Sequence, residues 1–459
     1  MTTDNRICAG CVSDKYLKAE IAASTTVNLA CDYCATIGPS IDMWSLALRF
    51  EIVIEQFYEG SSETDAVVMY ERDPEGLQLV DILDQIIEPH IETIRSDLEE
   101  LLKDIWYDRG SDQHRYGEEP WFVERAKCSD LLNTAWEQME QSLKKQARFV
   151  NPAAARLFES VFGPIVDDRT RSGTAVIVEV GPGCEISTLY RARTFQTFAA
   201  MEAALRHPER HIGPPPPGEG PAGRMNAKGV SVFYGSTEKQ IAIPEVRPPV
   251  GSHAVIGAFN VIRKLRLLDM RKLGDVIPKP GGSVFDPATF ELSSRCEFLK
   301  TLTGKLVMPV MPEQTEQEYL ITQATADFLS THPKLELDGI LFPSAQQSLA
   351  TPDALGRNVI LFNKAATVVN AEPHHAGDTM VNLWGIGEQC SYFDPEIRTN
   401  VSTQDRFPSV PMWRESTLQE PSLELDRNSL EICEIKGVQY ATIDYQVRHS
   451  VVVPRVRGS

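Results

Sequence analysis

The chain has 459 residues, of which 42% are hydrophobic and 24% charged, with 29 Gly and 30 Pro. At roughly 150 residues per domain this length predicts two or three domains, and the composition excludes collagen-like, coiled-coil and wholly disordered chains. The formal net charge is −19, and residues 41–150 alone hold 25 acidic and 11 basic residues. Such a field repels a phosphate backbone, so nucleic acid is not an expected partner.

No targeting or membrane segment is evident. The start MTTDNRICAG lacks the basic and apolar regions of a signal peptide, and no stretch of about 18 apolar residues occurs. We therefore expect a cytoplasmic protein without a membrane partner. In that setting cysteines serve as free thiols or metal ligands more often than as disulfides.

Two CxxC pairs open the chain. Cys8 and Cys11 are followed, after nineteen residues, by Cys31 and Cys34. Two such turns supply the four ligands of a tetrahedral Zn²⁺, and four thiolates leave no open coordination position. We predict a structural zinc knuckle over residues 1–40; the alternative is four unligated thiols.

Residues 41–165 have a helical pattern. Apolar residues in 80–106 recur at helical spacing, with a kink or break expected at Pro89. The same periodicity predicts a helix within 129–149 and a shorter one over 152–163, where Pro152 suits the first turn.

After about residue 172 the pattern changes to short apolar or alternating runs bounded by Gly and Pro, which predict strands. These runs are 175–180, 187–193, 229–235, 253–259, 338–344 and 358–362. A helix is predicted over 314–330. The tail 363–432 is rich in loop residues, and 433–453 is predicted to form a closing strand pair.

Several polar side chains interrupt these apolar runs, where an unpaired charge would be costly, so they should pair or line a cleft. They are Arg191, Arg193, Arg224, Asn226, Tyr234, Glu245 and Ser344. Arginines suit a pyrophosphate, a tyrosine can stack on a base or pyridine ring, and a glutamate can hold a ribose hydroxyl. Together they suit cleavage of an N-glycosidic bond in a nucleotide.

The ordered motifs LYRAR, GRMNAKGVSVFYGS, AIPEVRP and DGILFPSAQ resemble the RES domain, over roughly residues 170–365. Residues 1–165 resemble the zinc-knuckle and HEPN-type helical region that precedes some RES domains. The resemblance implies an α+β protein in three parts. These are a zinc knuckle (1–40), a HEPN-like helical domain (41–165) and a mixed α/β, ADP-ribosyltransferase-like RES domain with a C-terminal extension (170–459).

The resemblance also implies an activity: cleavage of the bond between nicotinamide and ribose in NAD. Toxins of this family deplete NAD and are usually held in check by an antitoxin. By position, Arg191, Glu245 and Ser344 match the family's Arg, Glu and Ser, and Arg224 and Tyr234 match its accompanying residues. Met225 replaces the usual aromatic residue, and Pro244 predicts extended geometry at Ile243.

In the implied mechanism Glu245 stabilises an oxocarbenium-like state while Arg191 and Arg224, with Arg193, neutralise the pyrophosphate. Tyr234 stacks on nicotinamide, Ser344 donates a hydrogen bond to substrate, and water or phosphate accepts the ribosyl group. One alternative is a structural ion-pair network in a RES fold that has lost activity, and a related one is a non-enzymatic protein that binds a partner. Another is a transferase that moves ADP-ribose onto a macromolecule.

Two weaker motifs remain. Arg109 and His114 have the spacing of the ribonuclease motif of active HEPN domains, although Gly110 and Ser111 interrupt the helix such a motif needs. His374, His375 and Asp378 suggest a second metal site, and a polar loop explains them equally well. A regulatory protein or antitoxin is an expected partner, and the apolar helical stripes also suit a homo-oligomer.

Overall fold

The computed structural model describes residues 5–24, 29–61, 76–86, 92–117, 119–125, 130–278, 281–307, 315–343, 356–369, 379–386, 391–399, 420–438 and 444–447. The chain divides into two compact units. Unit 1 comprises residues 1–176 and 271–306, and unit 2 comprises residues 177–270 and 307–459. Both helices and sheet strands are present, so the predicted α+β class is confirmed.

The described helices are α1 Lys15–Ala23, α2 Met43–Phe57, α3 Leu79–Ile86, α4 Glu92–Ile105, α5 Asp130–Lys145, α6 Pro152–Phe162, α7 Phe198–Arg206, α8 Pro208–His211, α9 Lys239–Glu245, α10 Pro287–Val307 and α11 Thr315–Thr331. Side chains cap several of them. Asp14 accepts hydrogen bonds from the backbone N–H groups of Tyr16 and Leu17 at the start of α1, and Asp42 accepts from Ser45 at the start of α2.

The described strands are β1 Arg6–Cys8, β2 Leu29–Ala30, β3 Ile37–Gly38, β4 Ser40–Asp42, β5 Tyr58–Gly60, β6 Leu77–Gln78, β7 Tyr107–Asp108, β8 Gln113–His114, β9 Trp121–Glu124, β10 Ile177–Val180, β11 Thr188–Phe195, β12 Phe233–Ser236, β13 His253–Val261, β14 Leu265–Asp269, β15 Gly339–Pro343, β16 Arg357–Leu361, β17 Thr379–Ile386, β18 Ser391–Thr399 and β19 Leu423–Glu434. The strands predicted between residues 175 and 362 are all present, with shifts of a few residues at their ends.

Unit 1 is mainly helical. A hydrophobic core of unit 1 joins residues of the cysteine-bearing segment, such as Ile7 and Cys11, to Phe50 of α2 and Leu98 of α4. The predicted helices are confirmed as α3, α4, α5 and α6, while Pro89 lies outside the described residues. The N-terminal segment and the helices thus bury side chains in one shared core and belong to the same compact unit.

A buried ion pair ties α10 to the earlier part of unit 1. Arg295 Nη1 and Nη2 donate to the two carboxylate oxygens of Asp168 at 3.1 and 2.7 Å, and its Nε donates to the carbonyl of Val161 at 2.7 Å. Arg295 is 4% exposed. The paired geometry satisfies a charge that would otherwise be costly to bury.

Unit 2 is built on an eight-stranded sheet with the order β10-β14-β15-β16-β12-β11-β13-β19. The β14 and β15 strands are parallel, and every other neighbouring pair is antiparallel. One face carries the main core, with Leu189, Phe233 and Phe259. On the other face α9 packs through Ala242 onto Ala192 and Ile256.

The sheet is nearly divided between β11 and β12. These strands pair through a single register position, Tyr190 with Ser236, whereas β11 pairs with β13 along its whole length. A Cβ added to Gly235 would lie 2.9 Å from the carbonyl oxygen of Tyr190, so the strands meet closely at this one point. Beyond it they diverge, which opens the sheet beside β11.

The prediction for the tail is wrong in part. The residues described within 433–453 do not form a strand pair, and the strand in this region is β19, which ends at Glu434. The β17 and β18 strands form a hairpin inside the segment predicted to be loop-rich. No helix in the described part of the chain is long and apolar enough to cross a membrane.

Candidate functional site

A cavity of about 180 Å³ in unit 2 is bounded by α9 and by strands of the eight-stranded sheet. Its lining includes Tyr190, Arg191, Tyr234, Glu245, Phe342 and Asn358, which come from β11, β12, α9, β15 and β16. Sites that enclose a whole drug-sized ligand measure roughly 300–1,000 Å³. The cavity therefore suits one ring or sugar of a larger ligand.

Arg191 lies where β11 and β12 diverge. Its Nη1 donates to the carbonyl oxygen of Tyr234 at 2.8 Å, and its guanidinium carbon lies 5.4 Å from the centroid of the Phe233 ring. Its Nε is buried and has no hydrogen-bond partner among the described residues. Burial, and next the nearby Arg193, lower the pKa of Arg191 to about 10. The guanidinium is thus a buried cation with an unused donor, which favours an anionic ligand.

Glu245 ends α9 and lines the same cavity. Its Oε1 accepts a hydrogen bond of 2.7 Å from Asn358 Nδ2 on β16. The extended geometry predicted at Ile243 is wrong, because Ile243 and Pro244 are both helical. A seven-residue helix loses only one internal hydrogen bond to a proline in its last turn, so Pro244 is tolerated here.

Tyr234 and Asn226 hold a loop together. The Tyr234 hydroxyl donates to Asn226 Oδ1 at 2.7 Å and accepts from the backbone N–H of Met225 at 3.0 Å. Asn226 Nδ2 donates to three backbone carbonyls of the same loop. Burial raises the pKa of Tyr234 to about 12. Gly223 is required beside this pair, since a Cβ there would lie 2.6 Å from the Tyr234 hydroxyl oxygen.

The other two arginines lie outside the lining of this cavity. Arg193 is exposed and donates to the carbonyl oxygen of His211. The guanidinium of Arg224 lies 5.8 Å from the centroid of the Tyr319 ring on α11, and its carbonyl accepts from the hydroxyl of Thr322. Helix α11 therefore fixes the loop that carries Arg224.

Ser344 lies outside the described residues, and β15 ends one residue before it at Pro343. The lining also includes three aromatic or polar residues that were not identified from the sequence: Tyr190, Phe342 and Asn358. A signal existed for each of them. Tyr190 adjoins Arg191, Phe342 lies two residues before Ser344, and Asn358 is a polar residue inside a buried apolar strand.

Of the two weaker motifs, the structure describes the one with Arg109 and His114 and not the one with His374, His375 and Asp378. Arg109 lies in the turn between β7 and β8, and His114 ends β8 with its ring 5.0 Å from that of Tyr107. The two residues therefore do not share a helical face, which the ribonuclease arrangement requires. His374, His375 and Asp378 lie outside the described residues.

The four N-terminal cysteines form one cluster in unit 1, with all sulfur atoms within 4.8 Å of one another. The Sγ–Sγ distances are 3.9 Å for Cys8 and Cys11, 3.5 Å for Cys8 and Cys34, and 3.8 Å for Cys11 and Cys31. Zinc–sulfur bonds of about 2.3 Å in a tetrahedron place sulfur atoms about 3.8 Å apart. Burial raises the pKa of the Cys8 and Cys11 thiols, so a cation is needed to hold them as thiolates. The cluster fits a metal ion.

Comparison with known proteins identifies a family for part of the chain. Residues 188–382 match the family model described as the RES domain. Searches of the curated proteins and of the solved structures found no match. The matched range contains β11, β12, α9, β15 and β16, which line the cavity. Residues 188–382 of the chain therefore form a RES domain.

Proposed function

We propose that this protein is an enzyme that consumes NAD by breaking the bond between nicotinamide and ribose, with water or phosphate as the acceptor. One observation carries the proposal: Arg191, whose buried Nε has no hydrogen-bond partner in the part of the chain that the structure describes, lines the same cavity as Glu245. The cation suits the pyrophosphate of a dinucleotide. The carboxylate suits the positive charge that develops on the ribose as the bond breaks.

The remaining residues take supporting roles in this proposal. Tyr190 and Phe342 offer aromatic surface in a cavity of the size of one ring or sugar. The hydrogen bond between Tyr234 and Asn226 holds the loop that carries Arg224. Arg193 adds positive charge on the same strand as Arg191, and Ser344 donates a hydrogen bond to the substrate.

The proposal includes a structural zinc ion bound by Cys8, Cys11, Cys31 and Cys34. It also includes a HEPN-like helical domain over residues 41–165. The observed sulfur separations support a tetrahedral ion of this size. Four sulfur ligands fill the coordination shell, so the ion stabilises unit 1 and takes no part in bond cleavage.

The test is release of nicotinamide from NAD by the purified full-length chain, with and without phosphate, followed by chromatography. Glu245→Ala is the test variant, and Glu424→Ala, at an exposed position on β19, is the matched control. We expect release by the wild type and the control and none by Glu245→Ala. Release that survives Glu245→Ala removes Glu245 from the mechanism, and no release by the wild type refutes the proposal. Transfer of label from NAD to protein or nucleic acid would instead identify a transferase.

An enzyme that depletes NAD harms the cell that makes it, so the proposal extends to a toxin controlled by a regulatory protein. Expression of the wild-type chain should slow growth and lower cellular NAD, whereas Glu245→Ala should do neither. Equal growth with both chains would contradict the toxin role. It would not bear on nicotinamide release by the purified chain, which the first test measures.

A further inference from the structure

Asn358 lies on β16 and is one of the residues that line the cavity. It pairs with Ser236 on one side and Phe342 on the other, and only 4% of it is exposed. Its Nδ2 donates to Glu245 Oε1 at 2.7 Å. The residue next to the proposed catalytic carboxylate is therefore a buried amide.

The direction of this amide is fixed by its partner. A carboxylate only accepts hydrogen bonds, so the nitrogen of Asn358 must face Glu245, and Oδ1 must face the other way. This Oδ1 is buried and has no hydrogen-bond partner among the described residues. Buried acceptors in folded proteins are nearly always satisfied, which indicates that a ligand supplies the missing donor.

We propose that Asn358 positions Glu245 through Nδ2 and reads a hydrogen-bond donor of the ligand through Oδ1. The inference rests on the proposed function and adds the residue that selects the substrate. The nicotinamide riboside half of NAD carries two kinds of donor, the N–H of its carboxamide and the hydroxyls of its ribose. An amide is suited to this task because it donates to a carboxylate and accepts from a ligand at the same time.

The first test compares Asn358→Ala and Asn358→Asp with the wild type, with Asn428→Ala at an exposed position on β19 as the control. We expect Asn358→Ala to lower kcat/KM by about 10- to 100-fold, as for the loss of one or two buried hydrogen bonds. The Asp variant keeps the size of the side chain and faces Glu245 with a second carboxylate. Its activity should rise as the pH falls, because one shared proton restores the hydrogen bond. A flat pH profile at wild-type activity would overturn the positioning role.

The second test identifies the donor that Oδ1 reads. One NAD analogue carries an acetyl group in place of the carboxamide and so lacks the N–H; another lacks the ribose 2′-hydroxyl. The wild type should discriminate against one of them, and Asn358→Ala should lose that discrimination. If the variant discriminates against both analogues as strongly as the wild type, Oδ1 reads no donor and the inference fails.

A binding measurement separates this inference from the proposed function. Calorimetry with NAD, ADP-ribose and nicotinamide needs no turnover. If the wild type binds NAD without releasing nicotinamide, and Asn358→Ala weakens that binding about tenfold, the proposed reaction fails and the inference stands. If the wild type binds none of the three probes, or binds them no better than Asn358→Ala does, the inference is overturned.

Discussion

Replacing Tyr234 by Phe removes one oxygen atom and keeps the aromatic ring, so it separates two roles of this side chain. The lost hydroxyl leaves Asn226 Oδ1 and the Met225 N–H without their observed partner. Asn226 is 3% exposed and Met225 4% exposed, so water replaces the hydroxyl poorly. Each unpaired buried group costs about 1–3 kcal/mol, and we expect a total loss of roughly 2–4 kcal/mol after the loop relaxes.

Urea and thermal denaturation of the full chain measure this loss. For a unit of this size each kcal/mol corresponds to about 2–4 °C in Tm. Tyr392→Phe, at an exposed position on β18, is the matched control and should change the Tm little. Nicotinamide release, measured well below the Tm, tests the role of the aromatic ring. If the ring stacks on the substrate, release by Tyr234→Phe should persist, because stacking does not need the hydroxyl. Unchanged stability of Tyr234→Phe would refute the loop-holding role derived from the hydrogen bonds.

Three further predictions concern the metal, the buried arginine and a histidine. Elemental analysis should find one zinc ion per chain. Cys11→Ser should lower both the zinc content and the stability of unit 1. If the protein keeps its full stability without zinc, the ion is not structural. Arg191→Met should weaken NAD binding at least tenfold with little change in Tm. The reason is that the cost of burying the cation, seen in its pKa of about 10, offsets the stabilisation from its hydrogen bond to Tyr234. A large fall in Tm would show instead that the hydrogen bond outweighs the cost of burial. Burial, and next Arg193, lower the pKa of His211, so the unfolded chain binds more protons below about pH 6.5 and stability should fall as the pH drops through that value. His211→Gln should remove this part of the acid sensitivity, as urea midpoints at about pH 7.5 and 5.5 would reveal.

The six strands predicted between residues 175 and 362 could be recognised because each is a short apolar or alternating run bounded by Gly and Pro, whereas β14, β17 and β18 were not predicted. The 358–362 run, for example, becomes β16 with a shift of one residue. The C-terminal strand was misplaced for a physical reason. Residues Arg427 to Ser429 interrupt its alternation where β19 shifts register against Ile256 and Ala258 of β13, so its pattern is broken in the middle.

The candidate site was predictable to a different degree in each unit. Spacing alone identified the cysteine cluster, because two CxxC turns carry most of their own geometry. In unit 2 the sequence identified Arg191 and Glu245 as functional residues, and both line the cavity. It did not identify Asn358, because its role depends on α9 bringing Glu245 to within 2.7 Å of it across more than a hundred residues of chain.

The last strand of the sheet, β19, lies beyond the end of the family match at residue 382. It pairs with β13 along most of its length and buries Leu423 and Leu425 against the main core. A shorter chain that stops at the family boundary would leave the N–H and C=O groups along one edge of β13 open to pairing with other molecules. Such a chain should aggregate, so the autonomous folding segment must extend at least to Glu434, although the resemblance to the family ends some fifty residues earlier.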